Sequence, residues 1–212
     1  MANPFQARAT LARDLLVAHV ESARSLLSSL DLEAVVGAGE ILDDAQRGGG
    51  TVYCLGNGGS AATASHLATD LAWGRRASGE ARPRVVSLVA NVPLISALAN
   101  DVGYADVFLE QLRGLFREGD VVVAISASGN SENVLRAVRY ANDHGGRSIG
   151  LTGFDGGKLK ECCRVCVHVP APGGAYELVE DIHHVVCHML ANYLKYKAAH
   201  RSGGGSHGAN DG

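Results

Sequence analysis

Twice in this chain an apolar run passes through a turn of glycine and hydroxyl residues straight into a helical pattern, and this repeated unit constrains the fold more than any other feature. Val121–Ile125 leads into Ser126-Ala-Ser-Gly-Asn-Ser131, and a helical segment follows. A strand that enters a helix this way aims free backbone N–H groups and the positive end of the helix dipole at one spot, which suits a phosphate. An ordinary serine-rich turn with Ser131 as the N-cap has the same appearance in isolation. The second unit, Thr51–Leu55 followed by Gly56-Asn-Gly-Gly-Ser60 and the helix-like stretch Ala61–Trp73, shifts the balance towards a ligand site. It lacks the third glycine of a dinucleotide fingerprint and the Lys-Ser/Thr pair of a P-loop, which disfavours adenylate cofactors. Two such turns at the carboxyl ends of parallel strands point to a crevice for a small phosphorylated ligand.

The remaining pattern supplies the sheet. Helical spacing of apolar residues predicts helices over 5–29 and 32–45, and then strand 51–55, helix 60–73, strand 84–89, helices 93–99 and 104–117, strand 120–125 and helix 131–144. Strands over 147–152 and 164–169 and a helix over 175–198 complete the series. Near-continuously apolar strands that alternate with helices imply an α/β fold, a parallel sheet covered on both faces. With 212 residues the chain has room for one substantial domain, expected over 1–200, with a helical segment over 5–48 and an α/β core over 50–198. Residues 201–212, rich in glycine and serine, are expected to form a flexible tail. The two leading helices are long and amphipathic for a sheet that is already covered, so they are expected to pack between subunits.

A net charge of −3 and a pI near 6.3 give no electrostatic case for nucleic acid or an anionic membrane surface. No basic-then-apolar leader is visible and no run approaches the roughly 20 apolar residues of a membrane span. The expectation is a soluble, cytoplasmic protein. Five cysteines fit a reducing compartment better than a disulfide framework, and the Cys163-Arg-Val-Cys166 pair has no second half that would complete a zinc site.

His66 and Asp70 stand four residues apart on the helix opened by the first glycine turn, so both leave the same face. Glu180, His184 and His188 repeat that spacing on the last helix. A solvated surface pair and a histidine-rich surface helix would show the same spacing. However, Val179, Ile182, Val186 and Leu190 mark the last helix as largely buried, where unpaired polar side chains are costly. Two imidazoles with two carboxylates form a donor set suited to a divalent metal of the zinc type.

These anchors, together with Ala99-Asn-Asp101 and Leu151-Thr-Gly-Phe-Asp-Gly-Gly157, make the chain over roughly 10–197 resemble the phosphoheptose (sedoheptulose 7-phosphate) isomerases of the sugar isomerase (SIS) domain superfamily. The resemblance implies a flavodoxin-like three-layer αβα sandwich, a homotetramer with sites at subunit interfaces, and one Zn²⁺ per subunit. Ser126, Ser128 and Ser131 would hold the substrate phosphate, with Ala127 where a threonine is usual. Asn57, Gly58, Gly59 and Ser60 would line the sugar, and Asn100 and Asp101 would contact its hydroxyls. By position the metal ligands become His66, Asp70, Glu180 and His188, with Asp70 as the base and His188 as its partner acid in proton transfer through an enediol.

Three positions depart from the family pattern. Asp70 replaces a glutamate and shortens the carboxylate by one methylene, Glu180 replaces a glutamine and becomes a second candidate base, and Glu177 replaces an aspartate. The resemblance therefore implies an isomerase of sedoheptulose 7-phosphate. An eight-carbon ketose phosphate as substrate, or a non-catalytic relative that binds a replication initiator protein, stand as alternatives on the same scaffold.

Overall fold

The structure is a computed structural model that describes residues 4–73 and 83–202. Helices α1 (Pro4–Ser28) and α2 (Leu32–Arg47) precede β1 (Thr51–Gly56), α3 (Gly59–Trp73), β2 (Arg84–Ser87) and α4 (Val92–Asp101). A single 3-10 turn at Tyr104–Asp106 leads to α5 (Val107–Leu115), β3 (Val121–Ser126), α6 (Glu132–Asp143) and β4 (Arg147–Gly153). The chain closes with α7 (Gly157–Cys162), β5 (Val165–Val169) and α8 (Tyr176–Ser202). The five strands are all parallel in the order β2-β1-β3-β4-β5. Helices cover both faces, which is the three-layer α/β arrangement expected from the alternation of elements.

Period-two alternation within the central strands divides the core. Val52 and Cys54 of β1 and Val121, Val123 and Ile125 of β3 face α2, α3 and α8. Tyr53 and Leu55, with Val122 and Ala124, face α5 and α6. Both faces of these strands are therefore apolar, which explains why they read as continuous hydrophobic runs. At the amino end of the sheet, buried Asp120 accepts hydrogen bonds from the Thr51 and Arg117 amides, at 2.7 and 2.8 Å, and so aligns the starts of β1 and β3.

Two expected elements differ in extent, and one further element appears. The strand expected over 84–89 ends at Ser87, because the chain turns there, with the Ala90 amide donating to the Ser87 carbonyl at 3.3 Å. The helix expected over 104–117 is a 3-10 turn followed by the shorter α5, since Gly103 at φ +115° starts the segment in a conformation outside the helical region. Helix α7 was not expected: six residues are too few to display a helical period. The tail expected over 201–212 lies, from 203 onward, outside the described residues.

Helix α1 lies against α8, with His19 Nε2 2.9 Å from Asp181 Oδ2, while Leu11, Leu15, Leu16 and Val20 on it are exposed. Among the described residues no helix is long and apolar enough to cross a membrane.

Candidate functional site

Chain order reverses between β1 and β3, so a crevice opens at the carboxyl ends of these two strands. The register pairs Gly56 with Ile125, which sets the two glycine and serine turns side by side. Between them lies a cavity of about 200 Å³ lined by Asn57 and Ser60 from one turn and by Ser126, Ala127, Ser128 and Ser131 from the other. Tyr176 and Glu180 close it from the first turns of α8. Helices α3 and α6 both begin here, so their positive ends face the same space. Ser131 caps α6 in sequence, yet its hydroxyl makes no capping bond and instead accepts a long contact from Ser126 Oγ at 3.5 Å. Both serines line the cavity, and the Ser131 hydroxyl is not committed to a helix cap.

The serine turn is buttressed from below. Gly129 sits at φ +62°, and a Cβ there would collide with the Gly156 carbonyl oxygen. Gly157, at φ +54°, is likewise closed in by the Ser128 carbonyl oxygen. The Leu159 amide donates to the Gly129 carbonyl at 2.9 Å, the Gly153 amide to the Ala127 carbonyl at 2.9 Å, and the Lys158 amide to Asn130 Oδ1 at 3.2 Å. The segment 153–159 therefore supports the turn largely through backbone contacts, and glycines are required because no side chain fits between the two loops.

Asn57 is fixed by an amide pair in which it and Asn133 each donate Nδ2 to the other's Oδ1 at 2.9 Å, while Tyr104 Oη donates to Asn57 Oδ1 at 2.8 Å. Gly58, at φ +54°, and Gly59 make the close turn into α3. The Glu180 carboxylate lies where a Gly59 side chain would have to sit, over the amino end of α3. Asn100 and Asp101 do not line the cavity: exposed at the end of α4, they pair with each other through Asn100 Nδ2 and Asp101 Oδ1 at 2.7 Å.

Farther along α3 and α8, ligand atoms of His66, His184 and His188 all lie within 4.8 Å of one another. His66 and His188 meet Nε2 to Nε2 at 2.8 Å, and the His66 and His184 rings are 4.3 Å apart. Asp70 Oδ2 stands 3.3 Å from His66 Nε2 and 3.7 Å from His188 Nε2. Desolvation, and then the neighbouring His66 and His188, push the His184 imidazole towards its neutral form, which is the form that ligates metals. Imidazoles with an adjacent carboxylate are the donors that divalent transition metals prefer. Of the expected ligand set, His66, Asp70 and His188 are brought together, whereas Glu180 faces the cavity and His184 occupies the cluster.

Helix α8 is tied to the sheet by buried His183, whose Nε2–H donates to the Thr152 carbonyl at 3.1 Å. Burial pushes its pKa down to about 4, so the ring is neutral. Burial also pushes the Cys163 thiol up to about 12 and the Cys166 thiol upward, so neither is a thiolate at neutral pH. Tyr104, Asn133 and Tyr176 escaped the sequence reading, since nothing in their local spacing marks them. His184 was legible as part of a histidine repeat but not as a member of the cluster.

Residues 18–153 match the SIS domain family. The phosphoheptose isomerase of Rhodospirillum rubrum is 39% identical over 162 residues, covering 76% of this chain and 85% of that protein. The phosphoheptose isomerase of Neisseria gonorrhoeae superposes with a TM-score of 0.75 at 31% identity, over 91% of this chain and 99% of its own. That of Francisella tularensis superposes with a TM-score of 0.77 at 26% identity, over 89% and 98%. With the serine turn, the glycine turn and the histidine cluster set on this parallel sheet, the chain belongs to the phosphoheptose isomerase family of SIS-domain proteins and is a phosphosugar isomerase.

Proposed function

We propose that this isomerase interconverts sedoheptulose 7-phosphate and a D-glycero-heptose 7-phosphate. The observation that carries the reading is the meeting of two helix amino ends, the serine hydroxyls and the Glu180 carboxylate around one cavity, with imidazoles and Asp70 farther along the same two helices. The serine turn binds the phosphate, and the sugar extends from it along α3 and α8 towards the cluster. A carboxylate, Asp70 by resemblance with Glu180 as the second candidate, removes the proton from the carbon beside the carbonyl. His188 gives a proton to the carbonyl oxygen and an enediol forms; the carboxylate then delivers its proton to the former carbonyl carbon while the other enediol hydroxyl passes its proton back to His188, which leaves the carbonyl on the neighbouring carbon.

His66, Asp70 and His188, with Glu180 as the further expected ligand, fit a Zn²⁺ in chemistry. A bound divalent cation would polarise the substrate oxygens and ease loss of the adjacent proton.

Incubation with sedoheptulose 7-phosphate is expected to yield the seven-carbon aldose phosphate, with an eight-carbon ketose phosphate converted more slowly. Preference for the longer sugar would shift the assignment to that substrate, and turnover of neither would overturn it. Ser128→Leu is expected to raise KM at least tenfold through loss of a hydrogen bond to charged phosphate, while the melting temperature moves by no more than about 2 °C. A matching drop in melting temperature would make the hydroxyl a structural element.

The apolar stripe of α1 supports a homotetramer in which these helices pack between subunits. Light scattering should return a mass near four chains. A monomer would leave Leu11, Leu15 and Leu16 unexplained.

A further inference from the structure

We infer that His184 is a direct metal ligand in this protein, taking the place that family resemblance gives to Glu180, and that Glu180 serves the substrate cavity instead. The inference rests on the metal-assisted reading above and changes its ligand set.

The two side chains lie in different places: the Glu180 carboxylate is against Gly59, whereas a His184 nitrogen is within 4.8 Å of those of His66 and His188. Glu180, His184 and His188 share one stripe, but each step of four residues advances about 6 Å along the axis and turns about 40°. Side chains on a helix lean towards its amino end. His184 is therefore one turn from His188, whereas Glu180 is two turns away, about 12 Å along the axis, and leans farther off. On α3 the same separation appears: the Glu180 carboxylate lies over Gly59, while His66 is seven residues, or about 10 Å, farther along.

The donor atoms agree. Two ligands on a tetrahedral zinc at about 2.05 Å stand roughly 3.3 Å from each other. Asp70 Oδ2 is 3.3 Å from His66 Nε2, the His66 and His188 nitrogens are 2.8 Å apart, and His184 offers a nitrogen within 4.8 Å of both. Small side-chain rotations would bring these atoms around one ion. Three imidazoles and one carboxylate would hold it with a single negative charge from protein. Substituting glutamate for a neutral amide at 180 is then understandable: the carboxylate no longer adds charge to the metal but is presented to the sugar over the amino end of α3.

The test is metal binding, read without activity. Protein stripped with a chelator is titrated with Zn²⁺ against a chromophoric competitor, and zinc-edge X-ray absorption counts the imidazoles on the bound ion. The wild type is expected to show three imidazoles. His184→Ala should show two, with affinity weakened about 100-fold or more, beyond the 10- to 100-fold that loss of an outer-shell partner produces. Glu180→Gln should keep three imidazoles and an affinity within about threefold of wild type. Circular dichroism identifies any variant that has not folded, and His184→Asn provides a second replacement. Two imidazoles in the wild type, or a large loss in Glu180→Gln with none in His184→Ala, would overturn the inference and leave the metal-assisted reading standing. A wild type that binds no zinc would overturn both.

Discussion

Asp70→Asn is expected to lower turnover of sedoheptulose 7-phosphate by about 10²- to 10⁴-fold, the range typical of a removed general base. Asn is isosteric, so packing between α3 and α8 is retained while the proton acceptor is lost. The carboxylate stands 3.3 and 3.7 Å from the His66 and His188 nitrogens, and no other acidic side chain on α3 faces α8 at that level. The shorter side chain also sets a narrow tolerance, because a misplacement of about 1 Å can cost about 100-fold in rate. Steady-state kinetics of Asp70→Asn and Glu180→Gln side by side make the check. Near-wild-type turnover in Asp70→Asn with collapse in Glu180→Gln would transfer the base to the cavity carboxylate. Retained turnover in both would remove carboxylate catalysis altogether.

Gly129→Ala should produce the largest loss of stability of any single methyl group added to the site. Alanine at φ +62° costs about 1–2 kcal/mol in backbone strain alone. The added Cβ also meets the Gly156 carbonyl oxygen, which is backbone and cannot swing aside. A total of about 3 kcal/mol or more follows, which for a chain of this size lowers the melting temperature by roughly 6–12 °C. If the turn instead yields, the strain appears as weakened phosphate binding at nearly unchanged stability. Calorimetry paired with inorganic phosphate inhibition separates the two results, and a variant unchanged in both would show that the buttress does not govern the turn.

The contrast between what could and could not be read from the sequence has physical causes. Val121–Ile125 and Ile149–Leu151 are buried on both faces, so their apolar runs announced strands without ambiguity. The two turns were legible because glycine and hydroxyl residues cluster where a strand must reverse into a helix. Helix α7 was hidden by its brevity, and the end of β2 was blurred because Leu88 is as apolar as the strand before it and fully buried beside it. For the site, spacing placed His66 and Asp70 on one helix and Glu180, His184 and His188 along one stripe of another, and these are α3 and α8. Which rungs of α8 meet α3 depends on how far one helix slides along the other, and that is set by packing across the whole interface rather than by local residues. The pairing of Asn57 with Asn133, 76 residues apart, lies beyond local pattern for the same reason.

Because one uninterrupted helix, α8, carries both the carboxylate at the cavity and the imidazoles beyond it, the two are locked in rotational phase. Inserting a single residue between Glu180 and His184 would swing one set about 100° away from the other. Divergence of this pocket is thereby confined to exchanges of side chain at unchanged length, and new sugar preferences must arise by altering what hangs on each rung rather than by adding rungs.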